Sequence, residues 1–191
     1  MSSTLSRKEE IRNAAAKLFG EKGFAASSVR DIAQAVGLGA ASLYNHMESK
    51  DELLVTICFR CADAFSKGMQ EIDSSGLNPL EKIKALVRLQ MDIALHDQSS
   101  VTVFNDEWRH MHEPHLTAFR QLRRAYETAY LRIIRDGMEA GLIEKRDPDL
   151  TYQFILSSLR WLHQSGVRKV KLTETEINEQ IISLIIKGIQ V

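Results

Sequence analysis

Hydrogen-bonding side chains and small residues lie together in one short stretch, residues 39–47. Asn45 carries an amide that matches the adenine edge in the major groove, and Tyr44 and His46 flank the small residues. Alanine methyl groups can touch thymine, and small residues would let a helix enter a groove about 12 Å wide. We therefore predict that this stretch is a helix that contacts double-stranded DNA. The candidate contacts are Ala40, Ala41, Ser42, Tyr44, Asn45 and, at the edge, His46.

The element that must position this stretch comes immediately before it. Val29, Ile32, Ala33 and Val36 recur at i, i+3, i+4 and i+7, which places them on one face of a helix. Gly37 follows at the point where the chain must reverse, a position that favours a positive φ. Two short helices around a glycine turn have the layout of a helix-turn-helix.

Further residues on both sides of this turn form a pattern of residue types at fixed spacing. They are Ser28, Ile32, Ala33, Gly37, Leu38, Leu43, Tyr44, His46, Ser49, Lys50 and Leu53. This pattern resembles the DNA-binding domain of TetR-family transcriptional regulators. Gly39 stands where that family usually has Ser or Thr, and Met47 stands where it usually has Phe. Gly is an acceptable helix N-cap and Met fills an apolar gap, so we expect the fold to be retained.

The resemblance implies a function as well as a fold. It implies that Tyr44, Lys50 and Ser28 bind backbone phosphates, and the predicted helix N-termini at Ser28 and Lys50 favour anions. It also implies a homodimer whose two reading helices lie about one DNA turn apart, roughly 34 Å, or further. We accordingly expect a ligand-responsive repressor that a small hydrophobic or acyl-CoA-type effector releases from a palindromic operator.

Helical patterns continue along the rest of the sequence. No strand-like alternation is sustained, so we predict an all-α protein of about nine helices. Residues 1–49 are expected to form a three-helix DNA-binding domain, and residues 50–191 a helical ligand-binding and dimerisation domain. Capping boxes predict helix starts at Ser6, Ser28, Ser49 and Thr173, and cap-plus-proline pairs predict starts at Asn78 and Asp147.

The last predicted helix is apolar nearly all round, which implies burial on more than one side. One side can meet the core of its own chain, and we expect the other side to meet a second copy. The resemblance implies the same surface, because TetR-family regulators dimerise through their last two long helices. The alternative is a helix buried wholly within its own subunit. The predicted dimer contacts are Ile181, Ile182, Ile185 and Ile189.

Aromatic side chains with neighbouring arginines occur in the middle of the sequence. Apolar pockets with a few polar groups are common between helices of a bundle, although most aromatic residues simply pack in cores. Arginine beside an indole can bind a carboxylate or phosphate, whereas the alternative is an ion pair. These stretches resemble the regulatory domains of TetR-family members that sense acyl-CoA thioesters. The predicted effector site comprises Phe104, Trp108, Arg109, Tyr126, Arg160, Trp161 and His163.

Metal, redox and catalytic chemistry are less well supported by the sequence. His110, His112 and His115 lack a compact ligand spacing, and Cys58 and Cys61 have no second ligand pair. The sequence contains no phosphate-binding glycine loop, no nucleophile elbow and no His-Glu-x-x-His motif. We predict no metal, no cofactor and no enzyme activity. The alternative function is a helical metal or redox sensor, or a scaffold without specific DNA binding.

Composition fits these predictions without proving them. The 191 residues have a formal net charge of zero, so no overall positive field indicates a nucleic-acid partner. The first 50 residues hold seven Lys and Arg against five acids, which favours this end as the one facing phosphates. No apolar run reaches the roughly 18 residues of a membrane span, and no signal peptide is visible. We expect a cytoplasmic protein.

Overall fold

The computed structural model describes residues 6–163 and 170–191. The predicted all-α fold is confirmed, with nine α-helices in the described residues. Their only extended pairing is an isolated antiparallel bridge between Ile143 and Gln190. Two 3₁₀ turns cover Trp108–His110 and Arg160–His163. The helices are α1 (Arg7–Lys22), α2 (Val29–Ala35), α3 (Ala40–Leu43), α4 (Lys50–Asp73), α5 (Pro79–His96), α6 (Gln98–Asp106), α7 (His115–Glu139), α8 (Pro148–Leu159) and α9 (Glu174–Ile189).

Side-chain caps start most of these helices where the sequence predicts them. Complete capping boxes form at Ser6, Ser28, Asn78 and Thr173, each with the acid three residues later. Ser49 differs from them. Its hydroxyl accepts from Glu52 N at 3.0 Å, but the Glu52 carboxylate accepts from Glu48 N at 2.7 Å. The helix start predicted at Ser49 is therefore correct, although the carboxylate of the box binds the N–H of Glu48 and not that of Ser49.

The chain divides into two compact units. The first unit contains the described residues up to Ala62 together with Ser99–Phe119, and the second contains Asp63–Gln98 and the described residues from Arg120 onward. Helices α4 and α7 therefore contribute residues to both units.

The first unit has a small apolar core beneath the predicted helix-turn-helix. Phe19 from α1, Ile32 from α2 and Leu43 from α3 are fully buried. The segment 99–119 belongs to the same unit, and the Gly20 backbone of α1 lies close to it. A Cβ added at Gly20 would lie 3.6 Å from the Thr102 side chain. The short helices α2 and α3 are thus stabilised by packing, since isolated helices of this length are unstable in water.

The second unit consists of longer helices packed closely together. α5 contacts α8 and α9, and α4 approaches α5 so closely that a Cβ at Gly68 would lie 2.3 Å from Leu89 Cδ2. Ile83 and Leu86 of α5 and Ile133 and Ile134 of α7 are buried in its core. Within the described part of the chain, no helix is both long and apolar enough to cross a bilayer.

Candidate functional site

The turn after α2 has the predicted glycine geometry. Gly37 has φ 66°, in the left-handed region that favours glycine, and Leu38 N donates to Ala33 O at 2.9 Å. At the other end of α2, the hydroxyl and N–H of Ser28 both donate to the Asp31 carboxylate. These bonds stabilise the ionised carboxylate and lower the pKa of Asp31 below its ordinary value.

The helix predicted for residues 39–47 is shorter than expected. α3 covers only Ala40–Leu43, and the next residues form tight turns in which Asn45 N donates to Ser42 O and His46 N donates to Leu43 O. The Gly39 cap has no side chain to hold the helix start. These i→i+3 bonds replace the helical pattern after Leu43, so the polar residues of the stretch lie partly on a turn.

The predicted DNA contacts are open to solvent to different degrees. Tyr44 is the large side chain that stands out, with 55% of its surface exposed. The nearby Leu43 and Met47 are buried and anchor the stretch, as expected for the Met that replaces the family Phe. The contact candidates Ser28, Ala41 and Asn45 are also exposed, whereas Ala40, Ser42 and His46 are half-buried.

Lys50 is engaged within the protein. Its ammonium donates to Phe24 O and to Ser27 O, both at 2.9 Å, and lies 4.2 Å from the centre of the Phe24 ring. Two of its three donors therefore bind backbone carbonyls, which competes with the predicted phosphate contact. Arg7 acts similarly at the far end of α2, where it donates to Val36 O at 2.9 Å.

An aromatic cluster that we call the apolar cluster lies in the first unit. Phe119 is fully buried at its centre. The other members are Phe59, Phe104 and Trp108, whose ring centroids lie 5.8, 5.5 and 5.9 Å from that of Phe119. Two predicted effector residues, Phe104 and Trp108, thus pack together. Arg109 is exposed and its guanidinium lies 4.8 Å from the Trp108 ring centre.

A second cluster, the tyrosine cluster, lies in the second unit. Gln90 Nε2 donates to the Tyr126 hydroxyl at 2.8 Å, and the Tyr130 ring lies 6.1 Å from that of Tyr126 and 5.4 Å from that of Tyr152. Phe65 completes the cluster at 6.1 Å from Tyr126. The Tyr130 hydroxyl and Gln90 Oε1 are buried without a hydrogen-bond partner among the described residues.

Burial raises the pKa of each phenol in this cluster, so these groups stay neutral further into the alkaline range. Desolvation raises the pKa of Tyr126 and of Tyr130 well above the ordinary value, and it raises the pKa of Tyr152 to about 12, with the nearby Glu127 charge as a further cause. The hydroxyls of the cluster are therefore available as uncharged hydrogen-bonding groups.

The predicted effector residues are not all brought together. Phe104, Trp108 and Arg109 belong to the first unit, whereas the other four belong to the second. Of those four, Tyr126 joins the tyrosine cluster. Arg160 is exposed, Trp161 is half-buried and His163 is buried.

The sequence analysis missed Gln90, Tyr130 and Tyr152 as members of this cluster. A signal existed for the first two. Gln90 is a polar residue at an inward position of α5, four residues after the buried Leu86. Tyr130 follows Tyr126 at i+4, so both lie on the same face of α7. Tyr152 comes from α8, and no local pattern connects it to the other two.

The predicted dimer residues divide between two faces of α9. Ile182, Ile185 and Ile189 are buried against their own chain, so they do not form an open partner surface as predicted, whereas Ile181 is half-buried. The reason is that helix geometry puts positions 182, 185 and 189 on one face and positions 181, 184 and 188 on another. On the second face, Leu184 is 71% exposed.

The residues considered for metal or redox chemistry are dispersed. His112 Nε2 lies 3.6 Å from Asp51 and His110 Nε2 lies 3.5 Å from Glu107. No group of three or more potential ligands assembles among the residues that the structure describes. Cys58 and Cys61 are both buried, and Cys58 Sγ lies 3.8 Å from Val103 O.

Two short helices around a glycine turn, with polar residues exposed after the second, have the layout of a helix-turn-helix DNA-binding protein. Comparison with known proteins agrees with this class. Residues 11–57 match the family model described as bacterial regulatory proteins, tetR family. Residues 76–189 match the model described as Tetracyclin repressor-like, C-terminal domain. The chain belongs to the TetR family of transcriptional regulators.

Individual relatives cover nearly the whole chain. The HTH-type transcriptional repressor KstR2 of Mycobacterium tuberculosis (strain H37Rv) is 28% identical over 190 residues, 96% of this chain and 93% of that protein. The solved structure of ketosteroid transcriptional regulator KstR2 of Mycobacterium tuberculosis covers 99% of this chain and 97% of its own, with TM-score 0.87 and 27% identity. The crystal structure of probable transcriptional regulatory protein RHA5900 has TM-score 0.83 and 28% identity, with 95% and 98% coverage. As a member of this family, the chain is a DNA-binding transcriptional regulator and not an enzyme.

Proposed function

We propose that the chain acts as a homodimer on a palindromic operator in the bacterial cytoplasm, and that a small hydrophobic effector of the acyl-CoA or aromatic and lipid class releases it. The observation that carries this proposal is the exposure of Tyr44 at the end of α3. A large aromatic side chain left open close to the buried Leu43 and Met47 has a surface to offer to a partner. Its hydroxyl is suited to a phosphate oxygen.

The proposed operator contacts follow the exposure of the stretch. Tyr44 and Ser28 donate to phosphates, which fixes the register of the protein on DNA. Asn45 and the methyl group of Ala41 read base edges. The remaining candidates, Ala40, Ser42 and His46, are half-buried and therefore expose less surface to the DNA. The Lys50 ammonium already binds two carbonyls. We therefore propose that Lys50 contributes to DNA binding through its positive charge and through the position of its backbone at the start of α4.

The proposed dimer surface consists of the open faces of α8 and α9. Leu150 and Phe154 are exposed four residues apart on α8, which places them on one face. A Cβ at Gly188 would lie 3.3 Å from the Phe154 ring, so this face adjoins the face of α9 that carries Leu184. Adjacent exposed apolar residues on two helices can form a self-complementary two-fold interface. Ile181, half-buried beside Leu184, belongs to the same surface.

The proposed effector site is centred on the tyrosine cluster of the second unit, the part with aromatic rings and partly unsatisfied polar atoms. A ligand with a hydrophobic body and a hydrogen-bonding group would complete the bonds of Tyr130 and Gln90. Arg160, Trp161 and His163 remain candidates for a charged or planar part of the same ligand. We also propose a domain division between residues 49 and 50, where helix α4 starts.

The DNA proposal is tested with Tyr44→Phe on a duplex that the wild-type protein selects from a random-sequence pool. Loss of one hydrogen bond to a charged phosphate should weaken binding about tenfold. The loss should be similar on specific and non-specific duplexes, since a phosphate contact carries no sequence information. Asn45→Ala is the matched comparison and should weaken the specific duplex selectively. Normal binding by Tyr44→Phe would contradict the assignment.

The dimer proposal is tested with Leu184→Glu, with Leu77→Glu as its control. Both changes put a carboxylate on an exposed leucine, but Leu77 lies in the loop before α5. Sedimentation should show monomers only for Leu184→Glu, because the partner surface would have to bury the new charge. A dimeric Leu184→Glu protein would exclude this surface.

Operator release by a panel of acyl-CoA thioesters and free aromatic acids tests the effector class.

A further inference from the structure

Phe24 occupies the turn that precedes α2, and both of its backbone polar groups are bound by distant side chains. Its carbonyl accepts from Lys50 Nζ at 2.9 Å, and its N–H donates to Glu107 Oε2 at 2.9 Å. Glu107 lies 83 residues further along the chain. We call this arrangement, formed by Lys50, Phe24 and Glu107, the Phe24 clamp.

We propose that Glu107 is a positioning residue for operator binding, because its carboxylate holds the turn from which α2 and α3 are aimed. This inference rests on the proposed DNA interface, but it assigns a residue that does not touch DNA. A carboxylate that accepts a backbone N–H forms a charge-assisted bond, stronger than a bond between neutral groups. Its side chain is only 18% exposed, so solvent screens the bond weakly.

The side chain of Phe24 is also fixed in place, by contacts with two other rings. The ring is buried and packs against Phe19 at 5.1 Å and against the His110 ring at 5.4 Å. His110 and Glu107 belong to the same short stretch, so residues 107–110 contact both the ring and the N–H of Phe24. One segment therefore fixes the position and the orientation of this residue.

Local hydrogen bonds stabilise part of this turn, since Ser27 N donates to Phe24 O at 3.2 Å, but the N–H of Phe24 depends on Glu107. Gly23 has φ 87° and its N–H closes α1 by donating to Phe19 O. The next N–H, that of Phe24, has the Glu107 carboxylate as its acceptor. A buried backbone N–H that loses its acceptor is unfavourable, so removal of the carboxylate should shift the turn until water or another group reaches it.

The consequence for DNA binding follows from chain distance. Helix α2 begins at Val29, five residues after Phe24, and its cap Ser28 is a proposed phosphate contact. Lys50 binds Ser27 O as well as Phe24 O, so the clamp also holds the residue just before that cap. Displacing the turn would displace Ser28, although the sequence of the DNA-contacting stretch itself would be unchanged.

Glu107 also lies in the part of the chain that matches the C-terminal family model, residues 76–189. It nevertheless belongs to the same compact unit as the helix-turn-helix. The clamp is thus a direct polar contact between the regulatory sequence and the turn that aims the DNA-contacting helices. Any rearrangement of residues 107–110 would act on α2 through Phe24.

Simple electrostatics and the Phe24 clamp predict opposite changes in DNA affinity when the Glu107 carboxylate is removed. Loss of an acidic residue from a DNA-binding unit should tighten binding to phosphates, whereas loss of the clamp should weaken it. We compare Glu107→Ala and Glu107→Gln with Glu21→Gln, which removes an exposed acid on α1 of the same unit. The probe is the duplex that the wild-type protein selects from a random-sequence pool, in titrations at two salt concentrations.

We expect Glu107→Ala to bind this duplex about tenfold more weakly than wild type. The salt slope should be unchanged, because it reports phosphates neutralised by Lys and Arg and the displaced Ser28 is uncharged. Glu107→Gln keeps an acceptor oxygen and should recover part of the loss, while Glu21→Gln should bind as well as wild type or better. Hydrogen exchange should be faster at the Phe24 amide in Glu107→Ala and unchanged in Glu21→Gln.

Two results would overturn the inference. One is a Glu107→Ala protein that binds as Glu21→Gln does, and the other is a Phe24 amide that exchanges at the wild-type rate in Glu107→Ala. A wild-type protein that selects no duplex would instead contradict the proposed function, and the exchange measurement would still decide whether the clamp holds the turn. Glu107→Gln, the milder change, gives the same readouts if Glu107→Ala fails to fold.

Discussion

The apolar cluster of the first unit and the tyrosine cluster of the second unit are built from similar rings but differ in chemistry. In the apolar cluster, Phe119 packs against three other aromatic rings. In the tyrosine cluster, three phenol rings lie around one another beside Gln90. Three of the four tyrosines of the sequence belong to this second cluster.

The difference separates a stabilising core from a group of side chains suited to recognition. The three phenylalanine rings of the apolar cluster gain free energy on burial and need no particular partner. Phenols and amides gain it only when their polar atoms are bonded, and Tyr130 and Gln90 each leave one atom without a partner among the described residues. Burial of these two atoms without partners therefore disfavours folding. A bound ligand that supplied the missing hydrogen bonds would offset this cost.

The largest effect is expected at the centre of the apolar cluster. Phe119→Ala removes a fully buried ring and should lower the free energy of unfolding by about 3–5 kcal/mol. Phe119→Leu, which keeps most of the volume, should lose clearly less. Denaturant unfolding at fixed protein concentration measures both, because dimerisation makes stability depend on concentration. A loss below about 1 kcal/mol for Phe119→Ala would show that these rings do not form a packed core.

The tyrosine cluster should respond differently to removal of a single oxygen. Tyr126→Phe takes away the acceptor of Gln90 Nε2. It should cost about 2 kcal/mol, because the buried amide would lose its hydrogen bond. The same unfolding assay measures this. If Tyr126→Phe were as stable as wild type, the Gln90 bond would contribute nothing and the contrast between the clusters would be weakened.

Alkaline pH should act on the tyrosine cluster and not on the rings of the apolar cluster, which have no phenol to ionise. Burial raises the pKa of Tyr152 to about 12 in the folded state, against about 10 in an unfolded chain. Its contribution to stability is therefore complete below about pH 10 and is lost as the pH rises towards 12, at up to about 1.4 kcal/mol per pH unit. Tyr152→Phe should lose less stability than wild type between about pH 10 and about pH 12. Equal losses in the two proteins would contradict the raised pKa.

The sequence predicted the parts of this molecule that depend on local hydrogen bonds. The capping boxes at Ser6 and Thr173 and the positive φ of Gly37 follow from residues within a few positions of each other. The contact between Phe24 and Glu107 could not be predicted, because 83 residues separate its partners and no periodicity connects them.

Intermediate cases depend on the direction in which a helix packs. The sequence of α9 shows that it is apolar on several sides, but only its packing shows which side faces its own chain. Ile182 and Ile185 face inward and Leu184 faces out. The end of α3 at Leu43 could not be predicted either, because the sequence that follows is compatible with a helix and with a turn.

The smallest expected effect has the opposite sign and is the most direct test of the contrast. Tyr130→Phe removes a buried hydroxyl that has no partner among the described residues, and it keeps the ring contacts with Tyr126 and Tyr152. It should stabilise the protein by about 1 kcal/mol, whereas the same chemical change at Tyr126 destabilises it. If the hydroxyl serves a ligand, Tyr130→Phe should also need more effector for operator release. A variant less stable than wild type would mean that the Tyr130 hydroxyl is bonded in the folded protein, and the tyrosine cluster would then be a satisfied core like its counterpart.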